Sequence, residues 1–389
     1  MKKNYLLLFF FFLLTKSLVA QINLSVYSEV SIITAGPGIE LYEAFGHSAI
    51  RIKDPVLRLD LIYNYGMFDF NAPNFELNFT KGNLIYSMGR YNFRDFLAGY
   101  KRDKRWVKQQ VLNLTQEERQ SFFIYLENNA LPENKNYNYD PYFDNCATKL
   151  RDITTAILGD KVVLSNKNLN ERRSFRQLMD REIPWNTWGS FGINLALGSK
   201  LDQKANFTQY MYLPDYVYSI FKNSAILIEN QPKKLIKRED VLLEFKELKQ
   251  EISIFNPFLI FSVISFIGLF VTFSDFKNKK RSKWMDFILL FITGLIGCVI
   301  CFLWFFTDHS TAPNNFNFLW AFAPNLIIAF LMLKVHQKKW LKSYVRFSFF
   351  LLFIIPILWV LGVQLFPIAI IPFLILLLFR YAYLSKTLN

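Results

Sequence analysis

Apolar and polar residues alternate in short runs through roughly the first two thirds of the chain, then give way to long apolar blocks. Residues 47–52 follow Gly46 and alternate with β-branched members, which predicts a strand beginning after a turn; residues 59–65 predict a second strand. Further on the period changes. Leu150, Ile153 and Ile157 follow Cys146 at offsets of 4, 7 and 11, so the cysteine lies on the apolar face of a helix, at its first turn. Asp144 or Asn145 supplies an N-cap and Gly159 a C-terminal stop.

Five apolar blocks follow, at residues 256–274, 285–306, 318–334, 347–362 and 366–382. A membrane span needs about 20 residues, which the first three approach or meet. The last two are short and hold Pro356, Pro367 and Pro372; they read as two spans rather than a broken hairpin. At the other end, Lys2 and Lys3 precede an apolar run at 6–14 and the pattern Leu18-Val19-Ala20, the form of a cleaved secretory signal. Residues 232–255 interleave charges with Leu and Ile and predict a charged amphipathic helix. The expected order is a signal peptide (1–20), an exported α+β domain (21–231), a juxtamembrane connector (232–255) and an all-α transmembrane bundle of about five helices (256–389).

Charge changes this picture only at the membrane. The formal net charge is +14, yet residues 21–255 carry 30 Lys and Arg against 28 Asp and Glu, so no nucleic-acid face is called for. Lys277, Lys279, Lys280, Arg281 and Lys283 separate the first two blocks. Lys334, Lys338, Lys339, Lys342 and Arg346 separate the third and fourth, whereas 307–317 and 362–366 contain no Lys or Arg. Positive loops stay in the cytoplasm, which puts the exported domain outside and the C-terminus, with Lys386, inside.

Cys298 and Cys301 fall inside an apolar block, where packing is the plainer role. Cys146 is then the one exported thiol, with no intrachain disulfide partner. A helix N-terminus favours a thiolate, although a small buried residue fits the same place. His47 is the sole exported histidine. Singly it reads as structural; paired with Cys146 it is a candidate general base for a nucleophilic thiol. Asn64, on the second strand, is the first candidate to orient the imidazole, and Asp69 the second. Ser48 and Asn145 adjoin the pair and are candidate substrate contacts. Arg51, Lys81, Arg90 and Arg151 could meet an anionic headgroup or be solvated or paired charges. His309 sits with Asp308, Asn314, Asn315 and Asn317 in the outer loop, as interface hydrogen-bonders or as substrate contacts. One Cys and one His fall short of a zinc set, and neither a phosphate loop nor a nucleophile elbow occurs.

Several stretches resemble the Lnb family of Bacteroidetes lipoprotein N-acyltransferases. They are Leu41-Tyr42-Glu43-Ala44-Phe45-Gly46-His47-Ser48, Tyr63-Asn64-Tyr65-Gly66-Met67-Phe68-Asp69-Phe70, Phe79-Thr80-Lys81-Gly82, Tyr139-Asp140 and Asp144-Asn145-Cys146-Ala147. The order of a strand histidine and then a cysteine at a helix start also resembles circularly permuted papain-like folds, as in the lecithin–retinol acyltransferase and NlpC-type groups. The resemblance implies Cys146 as nucleophile and His47 as its base, in a periplasmic domain held by the cytoplasmic membrane. It further implies acyl transfer from a glycerol ester of a diacylglyceryl lipoprotein, through a cysteine thioester, to the amine of the lipoprotein's first cysteine. The expected partners are that lipoprotein and membrane lipid, with no metal or soluble cofactor. Two other readings use the same residues: a membrane-anchored cysteine peptidase or amidase, and a non-catalytic envelope scaffold in which both residues are buried.

Overall fold

A computed structural model describes residues 22–167, 172–248, 250–334 and 338–388; the expected signal peptide lies outside them. The N-terminal part is built on strands β1 (Glu29–Ala35), β2 (His47–Asp54), β3 (Leu59–Met67), β4 (Ile85–Asn92), β5 (Val107–Leu112), β6 (Asn136–Asn138) and β10 (Ile236–Leu243). They form one antiparallel sheet in the order β10-β5-β1-β2-β3-β4-β6, and β7 (Val162–Val163), β8 (Ala225–Ile228) and β9 (Gln231–Lys234) make a second. Between them run α1 (Phe75–Lys81), α2 (Phe93–Arg102), α3 (Gln116–Asn129), α4 (Cys146–Leu158), α5 (Phe175–Glu182), α6 (Trp188–Ala196) and α7 (Pro214–Asn223).

Strand alternation gives the large sheet two apolar faces. Ile50, Ile52, Tyr63 and Tyr65 pack under α3, α4 and α7 through Phe122, Leu150, Ile153 and Val217. Ala49 and Ile62 instead pack with Phe93 and Phe96 of α2. The two strands expected from alternation are thus β2 and β3, and the helix expected to begin at Cys146 is α4. Asn145 caps it: its Oδ1 accepts from the amides of Ala147 and Thr148, both at 2.9 Å.

The connector differs from its expectation. Residues 236–243 are a sheet edge strand rather than part of a helix, paired antiparallel with β5. Its charges are spent on strand neighbours: Arg238 meets Glu29 at 3.0 Å and Glu239 accepts from Gln110 at 3.0 Å. Charged side chains are what keep an exposed edge from pairing with another chain.

In the C-terminal part, four helices are long and apolar enough to cross a membrane: α8 (Pro257–Asn278), α9 (Lys283–Phe305), α11 (Trp340–Val360) and the segment Ile368–Thr387, which contains α12 (Ile371–Thr387). The third expected span is not a fifth such helix. Residues 318–334 hold a short helical turn, an irregular stretch and the eight-residue α10 (Asn325–Met332). This segment lies against glycines of α9: a Cβ at Gly294 would come within 2.1 Å of the Leu326 nitrogen at the start of α10, and one at Gly297 within 2.0 Å of the Ala321 carbonyl oxygen in the irregular stretch. Trp320 and Ala321 are buried there, the condition under which non-helical backbone is tolerated at membrane depth. Each end of this segment has a polar tie to another part of the chain. Asn317 donates to the carbonyl of Asn194 at 3.2 Å, while the Met332 carbonyl accepts from Arg281 at 2.6 Å.

The two parts are joined by packing as well as by the chain. Helix α6 lays Phe191 into the bundle core, and the Trp188 indole donates to the Phe255 carbonyl at 2.8 Å. The buried Arg176–Asp202 pair (3.0 Å) extends the joint, since Asp202 also accepts from the Leu365 amide at 3.1 Å.

Candidate active site

The site forms where β2 begins, β3 bulges and α4 starts. Gly46, at φ 72°, turns the chain so that His47 opens β2. Cys146 is the first residue of α4 and is buried. His47 lies beside Cys146, close enough for each to bear on the other's charge, and the amides of Ser48 and Ala147 lie near the sulfur. The His47 Nε2 is hydrogen-bonded to Asn64 Oδ1 at 2.5 Å, which leaves Nδ1 to face the thiol. Asn64 is oriented in turn by its Nδ2, which donates to the Tyr91 hydroxyl at 2.9 Å. A cysteine, an imidazole and a carboxamide therefore stand in line, the arrangement in which a third group fixes the ring's tautomer.

Electrostatics favour the ion pair. Burial pushes the thiol upward, but the His47 charge, the His47 hydrogen bond and the two amides outweigh it and hold Cys146 below its ordinary 9.0. Burial alone would lower His47; the Cys146 charge and hydrogen bond, with help from Asn64, raise it above 6.5. Each shift favours the charged form of its group, the thiolate on Cys146 and the imidazolium on His47, a nucleophile with a proton donor beside it.

Gly66 makes room for this arrangement. It lies at φ 86° within a register shift between Asn64 and Met67, and a Cβ there would stand 3.6 Å from the Cys146 Cβ and 3.5 Å from the Tyr139 ring. Tyr139 stacks on Tyr86 with centroids 4.3 Å apart, and the Tyr137 hydroxyl is buried close by. These tyrosines and Gly66 were not singled out from the sequence. Only the Tyr-Gly and Tyr-Asp phrases within the family resemblance pointed their way.

Of the expected substrate contacts, Ser48 lies at the sulfur through its amide, with its side chain buried. The other polar candidates are engaged elsewhere. Asn145 is wholly occupied: besides capping α4, its Nδ2 donates to the carbonyls of Pro141 and Tyr212 at 2.7 and 2.8 Å. Arg51 is buried in a two-pronged bond to Asp60 (2.7 Å), a bond to Gln109 and a stack on Phe93. Arg90 pairs with Glu127 at 2.6 Å, and Arg151 with Asp152 at 2.7 Å. Asp69 is exposed and caps the Asn71 amide.

Lys81 and His309 come together away from the sulfur. The Lys81 carbonyl accepts from the Asp308 amide at 2.7 Å, and the His309 ring meets Phe79 edge-on at 6.5 Å. Ser310 hydrogen-bonds Asp140, whose other oxygen caps Tyr142 and Phe143 on the approach to Cys146. The loop of the membrane domain between α9 and the irregular segment is thereby fastened to the periphery of the site. Among the described residues, no group of three His, Cys, Asp or Glu is placed to hold a metal ion.

A family model for the Lnb N-terminal periplasmic domain matches residues 16–185, and one for the Lnb transmembrane domain matches residues 249–388. This chain belongs to the Lnb family. Membership makes it a membrane enzyme of lipoprotein processing whose N-terminal part is periplasmic. No curated protein and no solved structure matches the chain. In this Lnb chain both motifs of the dyad fall within the matched periplasmic domain, and the loop fastened beside them falls within the matched transmembrane domain.

Proposed function

We propose that this chain transfers an acyl group from a glycerol ester of a diacylglyceryl lipoprotein, through a thioester on Cys146, to the α-amine of the lipoprotein's N-terminal cysteine. The Cys146 thiolate attacks the ester carbonyl and a C–S bond forms. As the tetrahedral intermediate collapses, the C–O bond breaks and the His47 imidazolium protonates the departing glycerol oxygen. The amine then attacks the thioester carbonyl and neutral His47 takes its proton. A C–N bond forms, the C–S bond breaks, and thiolate and imidazolium are restored. One ester is exchanged for one amide, leaving a lyso glycerol, with no redox change and no cofactor in the balance.

Asn64 positions the imidazole, and backbone amides at the start of α4, that of Cys146 included, stabilise the oxyanion at the positive end of the helix. The order of a strand histidine followed by a helix-start cysteine supports placing the periplasmic domain among permuted papain-like folds. The end contacts of the irregular segment, with the positive loops, support five crossings and a cytoplasmic C-terminus. One observation carries the functional reading: the Cys146–His47 pair is assembled beside a loop of the membrane domain, where a substrate whose tails stay in the bilayer can present its ester.

The test is mass spectrometry of lipoprotein N-terminal peptides from cells carrying the wild-type chain or Cys146→Ser. Loss of the N-acyl lyso form in the variant is expected. An identical pattern in both overturns the reading, and peptides shortened only in the wild type assign the dyad to a membrane-anchored peptidase or amidase.

A further inference from the structure

The excursion between β3 and β4 encloses a cavity of about 370 Å³. That volume lies in the range of about 300–1,000 Å³ usual for small-molecule sites. Its wall is mainly Met67, Phe68, Phe75, Phe79, Leu84 and Tyr86, and Asp69 is its one charged lining residue. With no Lys or Arg in the lining, nothing there balances a phosphate or a carboxylate. The rings form a connected cluster: Phe68 meets Phe70 at 4.7 Å, Tyr86 at 5.0 Å and Phe75 at 6.2 Å, and Phe75 meets Phe79 at 6.2 Å.

Both ends of this cavity have a neighbour that decides its use. At one end, Met67 follows Gly66, and Tyr86 stacks on Tyr139; a Cβ at Gly66 would touch both the Tyr139 ring and the Cβ of Cys146. At the other, α1 ends on the membrane-domain loop through Lys81 and Asp308. Exposed Leu77 and Phe79 on one side and Phe305 and Phe306 on the other flank that contact. A largely aromatic cavity, with Asn78, Asn83, Ser87 and Asn136 also in its wall, thus lies between the loop of the membrane domain and the residues next to the nucleophile.

We infer that this cavity holds the fatty-acyl chain while it is carried as a thioester on Cys146, and that its depth selects chain length; the inference rests on the acyl-transfer reading above. A chain drawn in from the ester stays bound when the glycerol leaves, which keeps the thioester seated for the incoming amine. Each methylene taken out of water strengthens such binding roughly fourfold until the cavity is full.

The experiment uses the full chain in phosphatidylethanolamine vesicles. Synthetic diacylglyceryl lipopeptides with octanoyl, lauroyl or palmitoyl esters serve as donors, and N-acyl product is read by mass spectrometry. Ser87→Phe places a ring in the cavity and is expected to lower palmitoyl transfer relative to octanoyl by about tenfold or more, while Phe75→Ala shifts preference toward the longer chain. Iodoacetamide alkylation of Cys146 at the wild-type rate certifies a folded site in each variant. If both variants alkylate normally and keep the wild-type chain-length profile, the cavity assignment is wrong and the acyl-transfer reading stands. If the wild-type chain transfers none of the three, that reading fails and this inference goes with it.

Discussion

At the scale of single residues, the Cys146 sulfur is governed by opposing terms of known sign. Burial disfavours the thiolate, and the His47 charge, its hydrogen bond and two amides more than offset it. Each partner accordingly favours the charged form of the other. Alkylation of Cys146 by iodoacetamide is expected to fade only as the pH drops through a point below 9.0. In His47→Ala the first effect acts with less opposition, and the alkylation midpoint is expected to move upward. A midpoint unchanged by that substitution would show that the imidazole does not set the thiol's state. In the proposed reaction Asn64 acts by positioning the imidazole it bonds. Asn64→Ala is expected to lower kcat about 10²-fold or more with KM little changed, because the ring loses its fixed tautomer. Equal loss in both parameters would make Asn64 a binding residue instead.

At the scale of elements, what was legible in the sequence was what depends on near neighbours. The apolar spacing from Cys146 to Ile157 and the Asn145 cap specify α4, and the alternation after Gly46 specifies β2, so the two chemical groups were both placed on correct elements. Residues 236–243 misled because pairing with β5 joins segments more than 100 positions apart, and the charges that suggested a helix are the cover of a sheet edge. The third apolar block misled for a related reason. Composition alone cannot show that Gly297 admits an irregular backbone, and Gly294 the start of the short α10, in place of one long helix. Either glycine changed to Ala forces a methyl into that backbone, and a loss of about 1–3 kcal/mol is expected by thermal unfolding in detergent. Asn145→Ala removes a cap and strands two carbonyls, so about 2–4 kcal/mol of stability should go. The thiol's alkylation midpoint should rise as well, as the start of α4 frays; a variant as stable as the wild type would contradict the capping role.

On the scale of the whole molecule, the membrane domain is knit by a buried charge network. Arg380 of α12 bonds Asp286 of α9 at 2.6 Å and Asp275 of α8 at 2.7 Å, and Arg281 bonds Asp286 at 2.6 Å. Arg380→Met leaves two carboxylates with reduced compensation and is expected to cost about 3–5 kcal/mol, read as loss of folded protein in detergent. The same substitution with Asp275→Asn and Asp286→Asn should recover part of it. Topology is tested by a reporter fused after Asn389. If the proposed five crossings hold, a fluorescent protein that folds only in the cytoplasm should light up there, and an exported phosphatase should stay inactive. The bundle is tied to the N-terminal domain by more than the chain: its loop at 308–310 is seated on α1 and on the turn before Cys146.

The central chemical claim is that Cys146 itself carries the acyl group, and it is tested most directly by trapping that intermediate. The full chain is incubated with a diacylglyceryl lipopeptide whose N-terminal amine is acetylated, so that the first step proceeds and the second has no acceptor. The expected result is a Cys146-containing peptide heavier by one fatty-acyl group, released by neutral hydroxylamine and absent in Cys146→Ala. An unmodified Cys146 peptide, with the lipopeptide's esters intact, would contradict it.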